Sequence, residues 1–258
     1  MPKNLFDLMK YHSSLHSMKI ILTNDDGIDA LGINSLFETL SKKHEVYMIA
    51  PDRQRSACSN AITIHDTVKL KKTDSRKYSL SGFPADCVNF GLCSGIFPEP
   101  DLVISGINHG PNMGDDIYFS GTVAGARAGY IHFRSAIAAS FESFTDFSQI
   151  SNASEFICEF AEEKIQKESS NFFFNINYPS IDKSKIKGIK LTQLGKRKYV
   201  DRYDFILENS EFKEYRLEGI VDSIHKEGSD VTELSKGYIS ITPLHLDTTD
   251  YTYFKRAQ

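Results

Sequence analysis

Residues Lys19–Gly27 read KIILTNDDG, a β-branched run that stops at a polar turn ending in glycine. Such a run is a short buried strand, and Asn24-Asp25-Asp26-Gly27 is the kind of cluster that closes a strand and opens a loop. Beyond it, Ile33, Leu36, Phe37 and Leu40 stand at helical spacing within Ile33–Lys43, and EVYMIA at Glu45–Ala50 is a second strand broken by Pro51-Asp52. Strand, helix and strand with short joints are the signature of a parallel sheet, so the expected fold class is α/β.

Working outward, Ala61–Ile64, Val68–Leu70 and Lys77–Leu80 look like appended antiparallel strands. Pro84–Cys93 reads as a helix with Pro84 in its first turn. Asp101–Ile104 is a third buried strand, Thr122–His132 a helix rich in small residues, and Ser135–Ser140 a further strand. A polar link over Asp146–Ser154 precedes a helix over Glu155–Lys167 and a strand over Phe172–Ile176. After Pro179, Lys187–Leu194, Glu211–Leu217 and Tyr238–Thr242 are strand-like, which reads as a β-rich addition or an oligomerisation arm. The expected organisation is an N-terminal extension over 1–17, either disordered or a short amphipathic helix, a core over 18–180, and a C-terminal β-rich region over 181–258 of the same domain.

Composition works by exclusion. With 40% hydrophobic and 25% charged residues, the chain belongs to neither the disordered nor the fibrous class. A net charge of −4 leaves no basic excess for a duplex, so no DNA partner is expected. A small anionic substrate stays open, because a bound cation reverses the local field. Cys58, Cys87, Cys93 and Cys158 form no CxxC pair and fit neither a zinc site nor a disulfide scaffold. No apolar run approaches the roughly 18 to 20 residues that span a bilayer. There is also no signal-peptide core, so no membrane and a cytoplasmic location are expected.

Three polar clusters each follow an expected parallel strand: Asn24–Gly27, Pro51–Ser56 and Ser105–Asn108. Carboxyl ends of parallel strands line one edge of an open sheet, so these distant segments should converge there. Adjacent carboxylates repel unless a cation lies between them, and hydroxyl and amide oxygens from neighbouring loops would complete an all-oxygen site suited to Mg²⁺ or Mn²⁺. Ser120-Gly121-Thr122 stands directly before a helix, where backbone N–H groups suit a phosphate, although Ser is also an ordinary N-cap. Asp115-Asp116 reads either as a second metal pair or as a turn-stabilising pair.

The segments ILTNDDGIDALGI, APDRQRSACSN, GFPADCV, SGINHGPNMGDDIYFSGTVAGA, NINYP, LTQLGKRKY and GYISITPL resemble, in order and spacing, the SurE family of survival-protein nucleotidases. The resemblance runs from Met18 to about Leu244. It implies a Rossmann-like three-layer α/β/α core with a mostly parallel sheet, and one divalent ion per subunit, Mg²⁺ or Mn²⁺. It also implies hydrolysis of nucleoside 5′- and 3′-monophosphates, in some members also of short polyphosphate. Carried over by position, the metal ligands fall on Asp25, Asp26, Ser56 and Asn108, with Asp25 and Asp26 as the catalytic carboxylates. The phosphate pocket falls on Asn60, Asn112, Ser120, Gly121 and Thr122. The C-terminal region would contribute to a homodimer or homotetramer. Departures from the family pattern are Leu31, Ala57, Cys58 and Phe83, none of which removes a ligand.

Two mechanisms follow: attack by a water that Asp25 orients or deprotonates, or a covalent aspartyl-phosphate through Asp25. His109 is placed to protonate the leaving group or only to touch substrate, and Arg53 and Arg55 to contact phosphate or to form surface ion pairs. Tyr118 and Phe119 would stack on a base or, the favoured reading, pack under the loop. The rival class is a non-hydrolytic nucleotide-binding regulatory protein, but no GxGxxG follows the first strand.

Overall fold

Ile20, Ile21 and Leu22 are all buried, so the opening strand is covered on both faces, as the middle of a parallel sheet requires. The computed structural model describes residues 17–256, so the expected N-terminal extension lies outside the described residues except for Ser17. That opening strand is β1 (Lys19–Thr23), followed by α1 (Leu31–Leu40), β2 (Glu45–Pro51), β3 (Leu70–Asp74), β4 (Lys77–Leu80) and α2 (Pro84–Cys93). Then come β5 (Leu102–His109), α3 (Gly121–Ile131), β6 (Ser135–Phe141), α4 (Ile150–Lys167) and β7 (Phe173–Tyr178). The remainder is β8 (Ile189–Leu191), β9 (Lys196–Glu208), β10 (Lys213–Ile224), α5 (Asp230–Ser235), β11 (Ile239–Pro243) and α6 (Tyr251–Arg256).

Nine strands form one sheet in the order β3-β4-β2-β1-β5-β6-β7-β11-β8, and β9 pairs with β10 as a separate hairpin. In the sheet β1 is flanked in parallel by β2 (Leu22 opposite Met48) and β5 (Leu22 opposite Ile104). The α/β expectation therefore holds, with β3, β11 and β8 running against the rest. The chain leaves β1 toward β2 on one side and returns to β5 on the other, so the loops after β1 and β5 diverge and leave a crevice at the sheet's carboxyl edge.

Helices α1 and α4 pack together on one face of the sheet, α2 and α3 on the other. Helix α1 steps from β1 to β2, whereas α4 steps from β6 to β7 in the opposite direction along the sheet. Two parallel crossovers of opposite direction on one face cannot share a hand, so β6–α4–β7 is a left-handed exception to the right-handed rule. The main core fills the α1/α4 face with Leu22, Ile33, Leu36, Leu40, Ile104, Phe141 and Phe160.

Three expectations are corrected. Lys77–Leu80, expected as an antiparallel strand, is β4 and extends the sheet beside β2 in parallel, pairing antiparallel with β3. Ala61–Ile64 is a loop, with Ile62 and Ile64 exposed, and β3 begins only at Leu70. The Asp86 carboxylate accepts both the Thr63 N–H and hydroxyl at 2.8 Å, giving that backbone a side-chain partner instead of a strand. Helix α4 starts at Ile150, because Ile150 and Ala153 extend the buried stripe of Phe156, Ile157 and Phe160 back into the stretch read as a polar link.

Helix α3 lies unusually close to the sheet. A Cβ at Gly129 would stand 2.7 Å from both Cβ and Cγ2 of Val103, and one at Gly125 would stand 2.7 Å from Ser105 Oγ. Gly129→Ala is accordingly expected to cost about 1–3 kcal/mol through overpacking, read as a lower urea midpoint at unchanged slope. An unchanged midpoint would show that the contact is not tight.

Candidate active site

The acidic turn after β1 is held from three sides. Asn24 Nδ2 donates to the Gly27 carbonyl at 2.9 Å, and Ile28 N donates to the Pro51 carbonyl at 2.9 Å. Gly27 has φ +100°, and a Cβ there would meet the Arg53 carbonyl carbon at 3.1 Å, so glycine alone fits where the loop after β2 crosses. The Arg55 N–H donates to the Asp25 carbonyl at 2.7 Å, which sets Ser56 one residue away. From β5, the His109 N–H donates to Asp26 Oδ2 at 3.1 Å. Asn108 Nδ2 is engaged by the Gly110 carbonyl at 2.7 Å, which leaves Oδ1 as its remaining acceptor. From α3, the Thr122 hydroxyl donates to Asp25 Oδ1 in a short hydrogen bond. The loops after β1 and β2, the last residues of β5 and the start of α3 thus meet around Asp25 and Asp26; Ser105–Asn108, expected just after the third strand, lies within β5.

Helix α3 presents its N-terminus to this spot. Ser120 is its N-cap, with Oγ accepting from Val123 N at 3.0 Å, so the hydroxyl proton stays free to donate. The first N–H groups of the helix have no intrahelical acceptor. A Cβ at Gly121 would lie 2.8 Å from Asp25 Cβ and 2.7 Å from Cys58 Sγ. Helix start and carboxylate are therefore in van der Waals contact, with the Cys58 thiol filling the third side.

Burial pushes Asp25 up to about 6, with the Thr122 hydrogen bond opposing and the Asp26 charge adding to the rise. Asp26 is raised as well, by burial, against the His109 N–H. Among the described residues the one basic side chain within 4.0 Å of either carboxylate is His109, whose Nδ1 is 3.9 Å from Asp26 Oδ1 and which burial holds toward its neutral form. A buried acid next to a half-buried one, without a lysine or arginine, suits a hard divalent cation, and the other donors in reach are neutral oxygens.

A family model described as Survival protein SurE matches residues 20–201. The chain is 41% identical over 246 residues to "5'-nucleotidase SurE" of Leptospira interrogans serovar copenhageni, covering 91% of this chain and 94% of that one. It is 41% identical over 244 residues to the protein of the same name from Clostridium botulinum strain Alaska E43, covering 91% and 96%. The chain belongs to the SurE family. The crystal structure of the SurE protein from Aquifex aeolicus superposes with a TM-score of 0.79 at 34% identity, covering 92% of this chain and 97% of that one.

Other residues singled out in this SurE-family sequence occupy varied positions. Ser56 is exposed, its Oγ accepting from Gln54 Nε2 at 2.9 Å. Asn112 is buried and fastened: its Nδ2 donates to Ser140 Oγ at 2.9 Å, and its carbonyl accepts Asn175 Nδ2 at 2.9 Å and Asn177 Nδ2 at 3.0 Å. Asn60 accepts from Arg127 Nη1 at 2.8 Å, beside a cavity of about 500 Å³ also lined by Tyr118 and His245. Arg53 pairs with Asp52 in its own loop, whereas Arg55 donates to the Ser81 carbonyl and lies over the Phe83 ring, tying that loop to the segment before α2. Tyr118 and Phe119 are exposed, contrary to the packing expected of them, because Ile117 takes the buried position of that turn. The His109 ring packs against Phe147, centroids 4.2 Å apart and the planes tilted by 41°. Asp115 and Asp116 pair with Lys196 and Arg197, the turn-stabilising alternative.

Asn175 and Asn177 escaped the sequence reading, although their i, i+2 spacing in a strand puts both on one face. A second polar cluster lies at the opposite sheet edge, before β2. There the buried His44 and Cys158 approach Glu162 Oε1 at 3.1 and 3.6 Å, and Lys43 Nζ sits 3.0 and 3.2 Å from its two oxygens. Every member has a protein partner, and the cluster ties α4 to the end of α1.

A carboxyl whose pKa is higher folded than unfolded stabilises the fold below the unfolded value and loses that contribution as pH rises through the folded one. For Asp25 that window runs from 3.8 to about 6. With divalent ions chelated, the melting temperature is expected to fall across it, and Asp25→Asn should flatten the fall. Added Mn²⁺ should raise the melting temperature more above this window than within it. Equal shifts at both pH values would argue against a metal at this pair.

Proposed function

We propose that the chain is a divalent-metal-dependent phosphatase that hydrolyses nucleoside 5′- and 3′-monophosphates to nucleoside and inorganic phosphate. The observation that carries this is the contact of the buried Asp25, next to Asp26 and without a lysine or arginine beside either, with the N-terminus of α3. Metal-binding and phosphate-binding chemistry thereby share one crevice. The relatives' shared name, 5′-nucleotidase, supports the same reading. A purely regulatory nucleotide binder has no such support.

In this reading Asp25, Asp26, Ser56 and Asn108 hold one Mg²⁺ or Mn²⁺ ion per subunit. Such an ion supplies a Lewis acid for a phosphoryl oxygen and lowers the pKa of water. Ser120, through its free hydroxyl proton, and the N–H groups of Gly121 and Thr122 donate to the non-bridging oxygens, with Asn60 and Asn112 at the margin of the pocket. Thr122, by occupying Asp25 Oδ1, orients the carboxylate and leaves Oδ2 to take a proton from the attacking water. The new bond joins that water's oxygen to phosphorus, the bond to the ribose oxygen breaks, and that oxygen takes up a proton from solvent to leave as the nucleoside hydroxyl, while Asp25 returns its proton to solvent. Asp26 is held by the His109 N–H, and the His109 ring serves packing against Phe147.

The proposal extends to assembly. Residues 18–180 form the catalytic core, and 181–258 carry the means of forming a homodimer or homotetramer. The β9–β10 hairpin supports this, exposing Tyr203, Phe205, Leu217 and Ile220 among others. No helix among the described residues is long and apolar enough to cross a membrane. Four free cysteines are consistent with a cytoplasmic location, which we include in the proposal.

The test is release of inorganic phosphate from a panel of nucleoside monophosphates with Mn²⁺ or Mg²⁺, abolished by EDTA. Asp26→Ala and Asn108→Ala are expected to lower kcat/KM at least about a hundredfold, the scale of losing a metal-orienting ligand, with the circular dichroism spectrum unchanged. Wild-type turnover in both would refute the ligand set. Light scattering at micromolar concentration should give a multiple of the 29.1 kDa chain mass. A monomer would refute the assembly.

A further inference from the structure

The loop that carries Ser120–Thr122 is fastened from outside the α/β core, by the root of the β9–β10 hairpin. Arg197 Nη1 donates to Asp116 Oδ2 at 2.8 Å, and the Tyr199 hydroxyl donates to Asp116 Oδ1. The pair is mostly withdrawn from water, Arg197 and Asp116 being 17% and 13% exposed. A charge pair so placed resists removal of one partner, because the other is left buried and uncompensated. Lys196 adds a third, solvent-exposed contact to Asp115.

The backbone of Asp116 carries the restraint to the phosphate-binding turn. Its carbonyl accepts the N–H of Phe119 and of Ser120, each at 3.0 Å. Ser120 in turn caps α3, whose second residue, Thr122, bonds Asp25. On the other side, the buried Asp230 carboxylate accepts N–H groups from Gly114 at 2.9 Å, Gly195 at 2.7 Å and Val231 at 2.8 Å. A Cβ at Gly114 would stand 2.8 Å from the Gly195 carbonyl oxygen, so the two chains pass backbone to backbone. Among the contacts between elements, the hairpin reaches the body through this Gly114–Tyr118 turn.

We infer that Asp116 is a positioning residue for phosphate binding: the hairpin root, through Arg197 and Tyr199, fixes Asp116 and thereby sets the turn that aims Ser120, Gly121 and Thr122 at the substrate. This rests on the phosphatase reading above. Asp116 does not touch substrate. Its effect falls on how tightly the phosphoryl group is held, not on the metal, because its hydrogen bonds run to the Ser120 side of the crevice and none to Asp26 or Asn108. Position of the hairpin and affinity for phosphate are thus linked.

The experiment uses the full chain with Mn²⁺ and compares wild type with Asp116→Ala, Arg197→Leu, Tyr199→Phe and the double variant Asp116→Ala/Arg197→Leu. The readouts are KM and kcat for a nucleoside monophosphate, with calorimetric Kd values for inorganic phosphate and for Mn²⁺. Asp116→Ala and Arg197→Leu should each raise KM and the phosphate Kd about tenfold, the scale of one charge-assisted hydrogen bond. The Mn²⁺ Kd should stay within about twofold, and the double variant should be no worse than the poorer single, as for groups acting in one unit. Tyr199→Phe, which keeps the ring, should raise the phosphate Kd about threefold, a part of one hydrogen bond, and covers the case where the larger changes fail to fold. Unchanged phosphate Kd in Tyr199→Phe and in every folded variant would overturn the inference, as would parallel losses of Mn²⁺ and phosphate affinity. A wild type that binds phosphate but hydrolyses no nucleotide would sink the phosphatase reading while the phosphate Kd values still decide this one. A wild type that does neither would sink both.

Discussion

Helix α3 lies on β5 and β6, and its glycine side approaches β5 and the end of β1 at a separation that only glycine allows; the site depends on that contact. A Cβ at Gly125 would fall 2.7 Å from Ser105 Oγ and 2.9 Å from Thr23 Cγ2, one at Gly129 would run into Val103, and one at Gly121 into Asp25 itself. Three glycines four residues apart lie along one side of a helix, so they act as a single flat strip. The strip costs helix propensity, since each glycine is worth up to about 1 kcal/mol less than alanine in a helix interior. In return the helix start is brought onto the carboxylate, and its N-terminus opens beside the buried Asp25.

That placement explains the electrostatics. An aspartate held out of water is costly to ionise, and Asp25 has only a hydroxyl and backbone groups for compensation. The fold tolerates this because the surrounding loops are over-determined by hydrogen bonds that do not involve the charge: Asn24 to Gly27, Ile28 to Pro51, Arg55 to the Asp25 carbonyl. The asparagine network of Asn112, Asn175 and Asn177 does the same for the loop after β5. The result is an oxygen-lined crevice in which, among the described residues, no lysine or arginine lies within 4.0 Å of either carboxylate.

The hairpin stands apart from this economy. Both of its strands are mostly exposed on both faces, and a two-stranded ribbon of that kind is marginal by itself. Its root is nevertheless among the most constrained parts of the molecule, anchored by Asp230 and clamped to Asp116.

The parallel core was legible in the sequence because β-branched runs and helical stripes report burial residue by residue, and KIILT followed by an acidic turn marks both the central strand and the site. The family segments also contain the residues that meet in that crevice, Asp25 and Asp26 together with His109 and Thr122. What the sequence could not show is which polar groups are already spent. Asn112 is tied to Ser140, Arg55 to Ser81, and Asp116 to Arg197 across 81 residues of chain. The same limit hid the loop at Ala61–Ile64, the early start of α4 and the whole of β9, whose charged, exposed residues carry no burial pattern. The left-handed crossover was equally invisible, since hand depends on which face α4 finds free. Local pattern records whether a residue is buried; partnership and side are settled only when distant segments compete for the same space.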